Sequence, residues 1–149
     1  MVATIGYERA TLPDFLATLT ISNIDILVDI RDRAQSRRAG FSKTALREAL
    51  EAEGIEYLHL KELGDPKEGR DAARRGDFVT FRAIFNKVLQ TKEALQAIEQ
   101  IEELAINKKI CLMCFERDQT TCHRKIVADR LEKSLGATVR HLGVKDGAG

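Results

Sequence analysis

The segment KKICLMCF, residues 108–115, decides the fold. Its last six residues are all apolar, and they lack the three-to-four spacing that marks an amphipathic helix. A short continuous apolar run of this kind predicts a strand that is buried on both faces. Such strands occur inside parallel sheets that helices cover on both sides. We therefore expect residues 109–114 to form an inner strand of a mainly parallel sheet.

The segments on either side alternate between strand and helix patterns. This alternation favours right-handed βαβ units, so we predict a single α/β domain over 1–149, with three layers and a mainly parallel sheet flanked by helices. We expect 27–30 and 55–60 to be inner strands as well. The predicted strands are 3–7, 24–30, 54–60, 108–115 and 137–144, and the predicted helices are 11–20, 43–53, 78–89, 92–105 and 121–135.

Two segments stand apart from this alternation. Residues 61–77 (KELGDPKEGRDAARRGD) contain few apolar side chains, so we expect this segment to be exposed and mobile and to be able to act as a lid. Within it, we expect 65–77 to be the most mobile internal part of the chain. The last five residues, 145–149 (KDGAG), are expected to form a loose tail.

Composition narrows the class of protein. The 149 residues carry 24 Lys and Arg against 23 Asp and Glu, so a net charge of +1 gives no whole-surface attraction to nucleic acid or to an anionic membrane. No apolar stretch approaches the roughly 18 residues of a membrane span, and no signal segment is visible at the amino terminus. Three cysteines cannot all pair within the chain. These features predict a cytoplasmic protein of undetermined oligomeric state.

Polar residues follow the predicted strands at their carboxyl ends. Parallel strands bring these ends to one edge of a sheet, and ligands bind there in open α/β sheets. We therefore expect the side chains that follow the strands to share one location. They are Tyr7, Glu8, Asp29, Arg31, His59, Cys114, Glu116 and His141.

The segment CFERDQTTCHR, 114–124, contains the candidate catalytic residues. If Thr120 or Thr121 caps the next helix, Cys122 lies in its first turn, where free N–H groups favour a thiolate. We predict Cys122 or Cys114 as a catalytic thiol assisted by His123, and we expect Cys122 to react fastest, Cys114 at an intermediate rate and Cys111 slowest. In the alternative interpretation, Cys122 packs as a small apolar residue and Arg124 pairs with a carboxylate.

The basic segment RDRAQSRRAGFSK, 31–43, predicts an anion site. It ends at a helix amino terminus, where guanidinium groups and free N–H groups suit a phosphate or a carboxylate. The alternative is a solvated loop whose arginines pair with the acidic residues of 61–77. The candidate substrate-binding residues are Tyr7, Asp29, Arg31, Arg37, Arg38, Lys43 and Arg124.

Metal sites are weaker interpretations of the same residues. Cys114, Cys122 and His123, completed by His59 or His141, would make a zinc set, but adjacent Cys and His rarely face one ion and no paired CxxC motifs are present. A magnesium set of Glu8, Asp29 and Glu116 is disfavoured because a carboxylate at a strand end more often caps a turn or pairs with an arginine. We predict no metal and no cofactor.

Several stretches together resemble the bacterial and archaeal domain of unknown function 488 family. The resemblance spans nearly the whole chain and implies a fold and a site rather than a reaction. The stretches are TIGYE (4–8), LVDIR with SRRAGFSK (27–43), GIEYLHLKELG (54–64) and CFERDQTTCHR (114–124).

The chain is also distantly similar to rhodanese-like domains, which have an early strand ending in Asp-x-Arg and a later strand ending in a catalytic cysteine. It departs from them after Cys114, because Glu116 and Asp118 stand where a rhodanese loop wraps an anion with N–H groups. Sulfur transfer is therefore an analogy only.

Two functional hypotheses remain from the sequence. The first is an enzyme that uses a thiol on an anionic substrate, such as a phosphorylated small molecule, a nucleotide or a nucleic acid. The second is a non-catalytic module that binds nucleic acid or a phosphorylated ligand through the basic segment and Tyr7. The cysteines distinguish them, because a binding module should keep its affinity when Cys114 and Cys122 become serine.

Overall fold

The computed structural model describes residues 1–149. Strands and helices alternate along most of the chain, as the sequence predicts. Short 3-10 turns at Lys61–Leu63 and Gln119–Thr121 precede α3 and α6. The elements are β1 (Val2–Gly6), α1 (Leu12–Ile21), β2 (Ile26–Asp29), α2 (Lys43–Ala52), β3 (Glu56–His59), α3 (Lys67–Arg74), α4 (Phe78–Leu89), α5 (Lys92–Ala105), β4 (Ile110–Cys114), α6 (His123–Leu135) and β5 (Arg140–Leu142).

The five strands form one sheet in the order β3-β2-β4-β1-β5, and every neighbouring pair is parallel. The predicted α/β class is confirmed, and β4 lies at the centre with β2 beside it. The prediction that 55–60 forms an inner strand is wrong, because β3 is an edge strand. Its side chains explain this position, since Glu56 is exposed and the other three are only partly buried.

Two apolar clusters cover the two faces of the sheet. Along β4, Ile110 and Leu112 belong to one cluster, while Cys111 and Met113 belong to the other. Successive side chains of a strand point to opposite faces, so an unbroken apolar run supplies both clusters. Helices α4, α5 and α6 pack on the first face, and α1 and α2 pack on the second. The result is the three-layer arrangement that the sequence predicts.

The predicted helix starts are mostly confirmed. Thr11 and Thr91 cap α1 and α5, each through its side-chain oxygen, and Ser42 caps α2 without a side-chain bond. The prediction of Thr120 or Thr121 as the cap of the last helix is wrong. Both residues belong to a 3-10 turn, and Cys122 itself is the cap of α6.

The segment 61–77 is more ordered and more buried than its composition predicts. It forms a 3-10 turn and α3, which packs against α4. Leu63, Asp65 and Ala72 are buried, so the expected exposure is wrong at these positions. Small residues allow this, because a helix with Gly69 and Ala72 on its inner side can approach closely. The mobility of the segment and its role as a lid stay predictions.

The carboxyl-terminal residues are held against α1 rather than loose. The carboxylate of Asp14 accepts hydrogen bonds from the backbone N–H groups of Gly147 and Gly149, at 3.0 and 2.9 Å. The backbone N–H of Lys145 donates to Thr18 Oγ1 at 2.9 Å. No helix has both the length and the apolar character that a membrane span requires.

Truncation of the central strand should destabilise the fold strongly. Leu112 is fully buried on β4, so the change Leu112→Ala should lower the free energy of unfolding by about 2 to 5 kcal/mol. Val79 on α4 is 73% exposed, and Val79→Ala is the control, with an expected change within about 0.5 kcal/mol. Urea unfolding of both variants measures the difference. Equal losses would contradict the placement of β4 at the centre.

Candidate functional site

A cavity of about 540 Å³ opens at the carboxyl ends of β2 and β4. Cys114 ends β4, and Arg31 follows β2 by two residues. Helices α3 and α4 supply its other walls, with Arg70 from α3 and Phe81 from α4. The cavity therefore lies where open parallel sheets bind their ligands.

The cavity gathers only some of the predicted site residues. Its lining includes five of them, which are Tyr7, Arg31, Cys114, Cys122 and His123. Asp29 and Arg124 are fully buried behind that lining.

The other three predicted anion-binding residues lie outside the cavity. Arg37 and Lys43 are exposed, and Arg38 donates from Nε to the carbonyl oxygen of Ala10. The Arg38 contact holds the basic loop against the residues that precede α1, and none of the three side chains lines the cavity. The structure thus does not bring Arg37, Arg38 and Lys43 together with the thiols.

Cys114 and Cys122 meet at the base of the cavity. Their sulfur atoms are in bonding contact, close enough for a disulfide, and their Cα atoms are 7.4 Å apart. Cys114 comes from the end of β4, while Cys122 is the cap of α6 and its sulfur accepts the backbone N–H of Arg124 at 3.5 Å. The third cysteine, Cys111, is buried on the opposite face and takes no part.

Arg124 lies directly beneath the thiol pair and is completely buried. Its Nε donates to Cys114 Sγ at 3.2 Å and its Nη1 donates to Thr4 Oγ1 at 2.8 Å. Its Nη2 donates to the carbonyl oxygens of Glu116 and Arg117. No carboxylate pairs with it, so the alternative interpretation of Arg124 as an ion-pair partner is wrong. Burial lowers the pKa of Arg124 to about 10, which still leaves the guanidinium charged at neutral pH.

His123 is a neutral residue at this site. Its Nε2 is 2.7 Å from the carbonyl oxygen of Ile30, which can only accept, so Nε2 carries the proton. Nδ1 is then an acceptor, and it lies 3.5 Å from Cys122 Sγ. Burial lowers the pKa of His123 to about 4. At neutral pH this imidazole can accept a hydrogen bond from the Cys122 thiol, but it is a weak proton acceptor.

Arg31 and Asp29 form a buried ion pair that builds the wall of the cavity. Arg31 donates from Nε and Nη2 to the two carboxylate oxygens of Asp29, at 2.9 and 2.8 Å. Its Nη1 reaches the hydroxyl of Tyr7 and the carbonyl oxygen of Phe41, and Tyr57 donates its hydroxyl to Asp29 at 2.6 Å. Burial by itself lowers the pKa of Arg31, but the hydrogen bond and the negative charge of Asp29 outweigh it and raise the pKa above its ordinary value. Most of the hydrogen-bonding groups of Arg31 and Asp29 are therefore used by contacts within the protein.

Asp65 is a cavity residue that the sequence reasoning missed. It is only 5% exposed, and its Oδ1 has no hydrogen-bond partner. Burial raises the pKa of Asp65 to about 7, against the nearby charge of Arg70. In the sequence, Asp65 stood in a charged segment that predicted exposure. Only its position six residues after the end of β3, near the ligand-binding edge, could have indicated it.

Apart from Arg31, the arginines that line the cavity were not among the predicted site residues. Arg33 from the basic loop and Arg70 and Arg74 from α3 line it. Arg70 donates to Asp32 at 3.1 Å, so the loop and the segment 61–77 do pair, but with the acid on the loop and the arginine on the helix. Arg33 and Arg74 are exposed at the mouth.

Comparison with known proteins gives a family. Residues 11–131 match the family model described as Domain of unknown function DUF488, which covers most of the chain. The chain belongs to the DUF488 family. No curated protein and no solved structure matches it. Because the family description carries no activity, the function of this DUF488 domain has to be argued from its site.

The potential metal donors of this DUF488 domain also differ from those predicted. Donor atoms of Cys114, Glu116 and Cys122 lie within 4.8 Å of one another and could hold a thiophilic ion such as Zn²⁺. The two other histidines are engaged elsewhere, since His59 Nε2 contacts the carbonyl oxygen of Arg31 and His141 Nδ1 contacts Thr4 Oγ1. The expected meeting of all the strand-end residues is thus only partly realised.

Stability should depend on pH through Asp65 in an unusual direction. The folded state binds a proton at Asp65 more tightly than the unfolded chain, whose carboxyl has a pKa near 4. Stability therefore falls as pH rises from about 4 to about 7. His123 acts oppositely, losing stability as pH falls below about 6.5, so the wild-type profile mixes the two groups.

Comparison of Asp65→Asn with the wild type isolates the Asp65 contribution. Between about pH 5 and pH 7.5, the variant should gain about 1 to 2 kcal/mol of unfolding free energy relative to the wild type, a figure reduced for solvent screening. Urea unfolding at the two pH values measures this gain. A constant difference between the two proteins would show that Asp65 titrates normally.

Proposed function

We propose that this DUF488 domain is a thiol-dependent enzyme that acts on an anionic substrate, with phosphorylated small molecules and nucleotides as the first candidates. Cys114 is the nucleophile and Cys122 is its partner thiol. The observation that carries this proposal is the buried guanidinium of Arg124, which has no carboxylate partner and donates from Nε to Cys114 Sγ.

Charge balance supports a thiolate at Cys114 when the two cysteines are reduced. A buried cation is costly unless an anion pairs with it, and the group on Arg124 Nε that can become an anion is the Cys114 sulfur. A neighbouring cation lowers the pKa of a thiol. Burial raises the pKa of Glu116, whose Oε2 lies 3.7 Å from Cys114 Sγ, and this lessens the repulsion of a thiolate there.

The surroundings of Cys122 favour a protonated thiol. The neutral Nδ1 of His123 accepts a hydrogen bond from the Cys122 S–H, and the pair then needs only one negative charge, which Arg124 balances. The sequence predicts that Cys122 is the more reactive thiol, whereas this proposal assigns the thiolate to Cys114. The reason is that Arg124 reaches Cys114 through a charged N–H, whereas Cys122 meets a neutral imidazole and a backbone N–H.

The cavity supports an anionic substrate of modest size. Arg33 and Arg74 are exposed cations at its mouth, and guanidinium groups bind phosphate or carboxylate through paired N–H donors. These two residues take the place of Arg37, Arg38 and Lys43 in the proposal. In the covalent step, the Cys114 thiolate forms a bond to the electrophilic centre as the substrate's leaving group departs with the bonding pair.

A binding module is the second candidate. Phe115 is 44% exposed beside Tyr7, with their ring centroids 5.4 Å apart, and it lines the cavity together with the arginines. An exposed aromatic ring next to cations suits a nucleic-acid base and its phosphate without any covalent step.

The distant rhodanese-like pattern adds sulfur transfer from an anionic donor to the enzymatic reactions that deserve a test.

Selective alkylation tests the thiolate. Brief iodoacetamide treatment of the reduced protein at neutral pH should modify Cys114 first, followed by Cys122. Cys111 should stay unmodified, because burial raises the pKa of its thiol. Arg124→Met should slow the modification of Cys114 by about tenfold or more, since it removes the paired cation. Peptide mapping by mass spectrometry follows each site.

Two checks make this alkylation result decisive. Arg130 is an exposed arginine of the same helix, and Arg130→Met should leave the rate unchanged. If Arg124→Met does not fold, the pH profile of Cys114 alkylation in the wild type still gives its pKa, which should lie below the ordinary value of a thiol. Modification of Cys111 first, or equal inertness of all three thiols, would contradict the enzyme and favour the binding module.

Serine variants separate catalysis from binding. We expect Cys114→Ser to abolish turnover of any substrate found in a screen of phosphorylated ligands, nucleotides and thiosulfate, while its affinity for that substrate is retained. Cys122→Ser should reduce turnover less. Direct binding and product assays on the same preparations, together with elemental analysis for zinc, supply the measurement. Full turnover by Cys114→Ser would refute the proposed nucleophile.

A further inference from the structure

Asp65 lines the same cavity as the thiol pair, yet thiol chemistry leaves it without a role. Its carboxyl group is held in place, because it packs directly against the backbone of α3 at Gly69, where even a Cβ atom would collide with Oδ1. That oxygen is buried and has no hydrogen-bond partner within the protein. An unpaired buried oxygen is costlier in a charged carboxylate than in a neutral carboxyl, so this packing favours the protonated acid and leaves Oδ2 as the oxygen that faces the cavity.

The charges around Asp65 favour its neutral form. Arg70 of α3 does not hydrogen-bond to the carboxyl group, because its Nη1 is directed to the backbone carbonyl of Asp65 and to Asp32. Asp32, which follows β2, and Glu116, which follows β4, both repel a negative charge at Asp65. A carboxyl that is buried, unpaired and flanked by other acids holds its proton to unusually high pH. The raised pKa of about 7 agrees with this geometry.

We infer that Asp65 binds the anionic group of the substrate as a protonated carboxyl that donates its O–H to an oxygen of that group. This inference rests on the proposed function, because it identifies Asp65 as a cavity residue that binds the proposed anionic substrate in addition to the arginines. A carboxylate in this position would repel the same anion. Binding should therefore take up a proton near neutral pH and weaken as Asp65 ionises.

Sulfate is a suitable probe, because it has a phosphate-like shape and does not titrate near neutral pH. Calorimetric titration of the full chain with sodium sulfate should give an affinity about tenfold weaker at pH 8 than at pH 6, as the protonated fraction of Asp65 falls. Asp65→Asn keeps an N–H donor without a titrating group, so its affinity should be nearly equal at the two pH values. Glu68→Gln, which changes an exposed acid of α3 outside the cavity lining, is the matched control and should keep the tenfold dependence.

Each outcome has a definite meaning. A wild-type affinity that does not change with pH, or a change that persists in Asp65→Asn, overturns the role of Asp65 alone. Absence of sulfate binding at pH 6 overturns this inference together with the anion site, whereas the alkylation experiment still decides the thiolate at Cys114. If Asp65→Asn does not fold, titration of the wild type in two buffers of different ionisation enthalpy measures proton uptake directly, and zero uptake refutes the inference.

Discussion

The buried guanidinium of Arg124 is the constraint around which this site is built. Its N–H groups bond to β1 through Thr4, to β4 through Cys114, and to the following loop through the carbonyl oxygens of Glu116 and Arg117. One side chain of α6 therefore links the middle of β1, the end of β4 and the loop that joins β4 to α6. Since all its partners are neutral groups or a thiol, the same contacts that hold the loop also make a thiolate favourable.

The buried cation Arg31, unlike Arg124, is paired with a carboxylate. Asp29 meets it with both carboxylate oxygens, and Tyr7, Tyr57 and the carbonyl oxygen of Phe41 complete the surroundings. The pair's hydrogen-bonding groups are used within the protein, and they link β2 to the edge strand β3 through Tyr57 and to the stacked rings of Tyr7 and Phe41. The contrast between the two arginines indicates that Arg31 supports the cavity wall, whereas Arg124 acts on a reactive group.

Two of the three acids that line the cavity have raised pKa values. Asp65 is buried and Glu116 is partly buried, and burial raises the pKa of each. A raised pKa weakens the repulsion that an incoming anion or a thiolate would meet. The arginines at the mouth are positively charged. The cavity therefore favours an anion, although the net charge of the whole chain is only +1.

The sequence by itself determined the α/β class, the inner position of β4 and β2, and most helix starts. These features depend on local patterns, since apolar runs and capping residues act within a few residues of chain. Only the tertiary structure decided that β3 lies at the edge, that Arg37, Arg38 and Lys43 turn away, and that Asp65 enters the cavity. It also decided which thiol meets the charge of Arg124. Such features depend on burial and on contacts between distant segments, and the pKa of a carboxyl or thiol follows from those surroundings rather than from its neighbours in sequence.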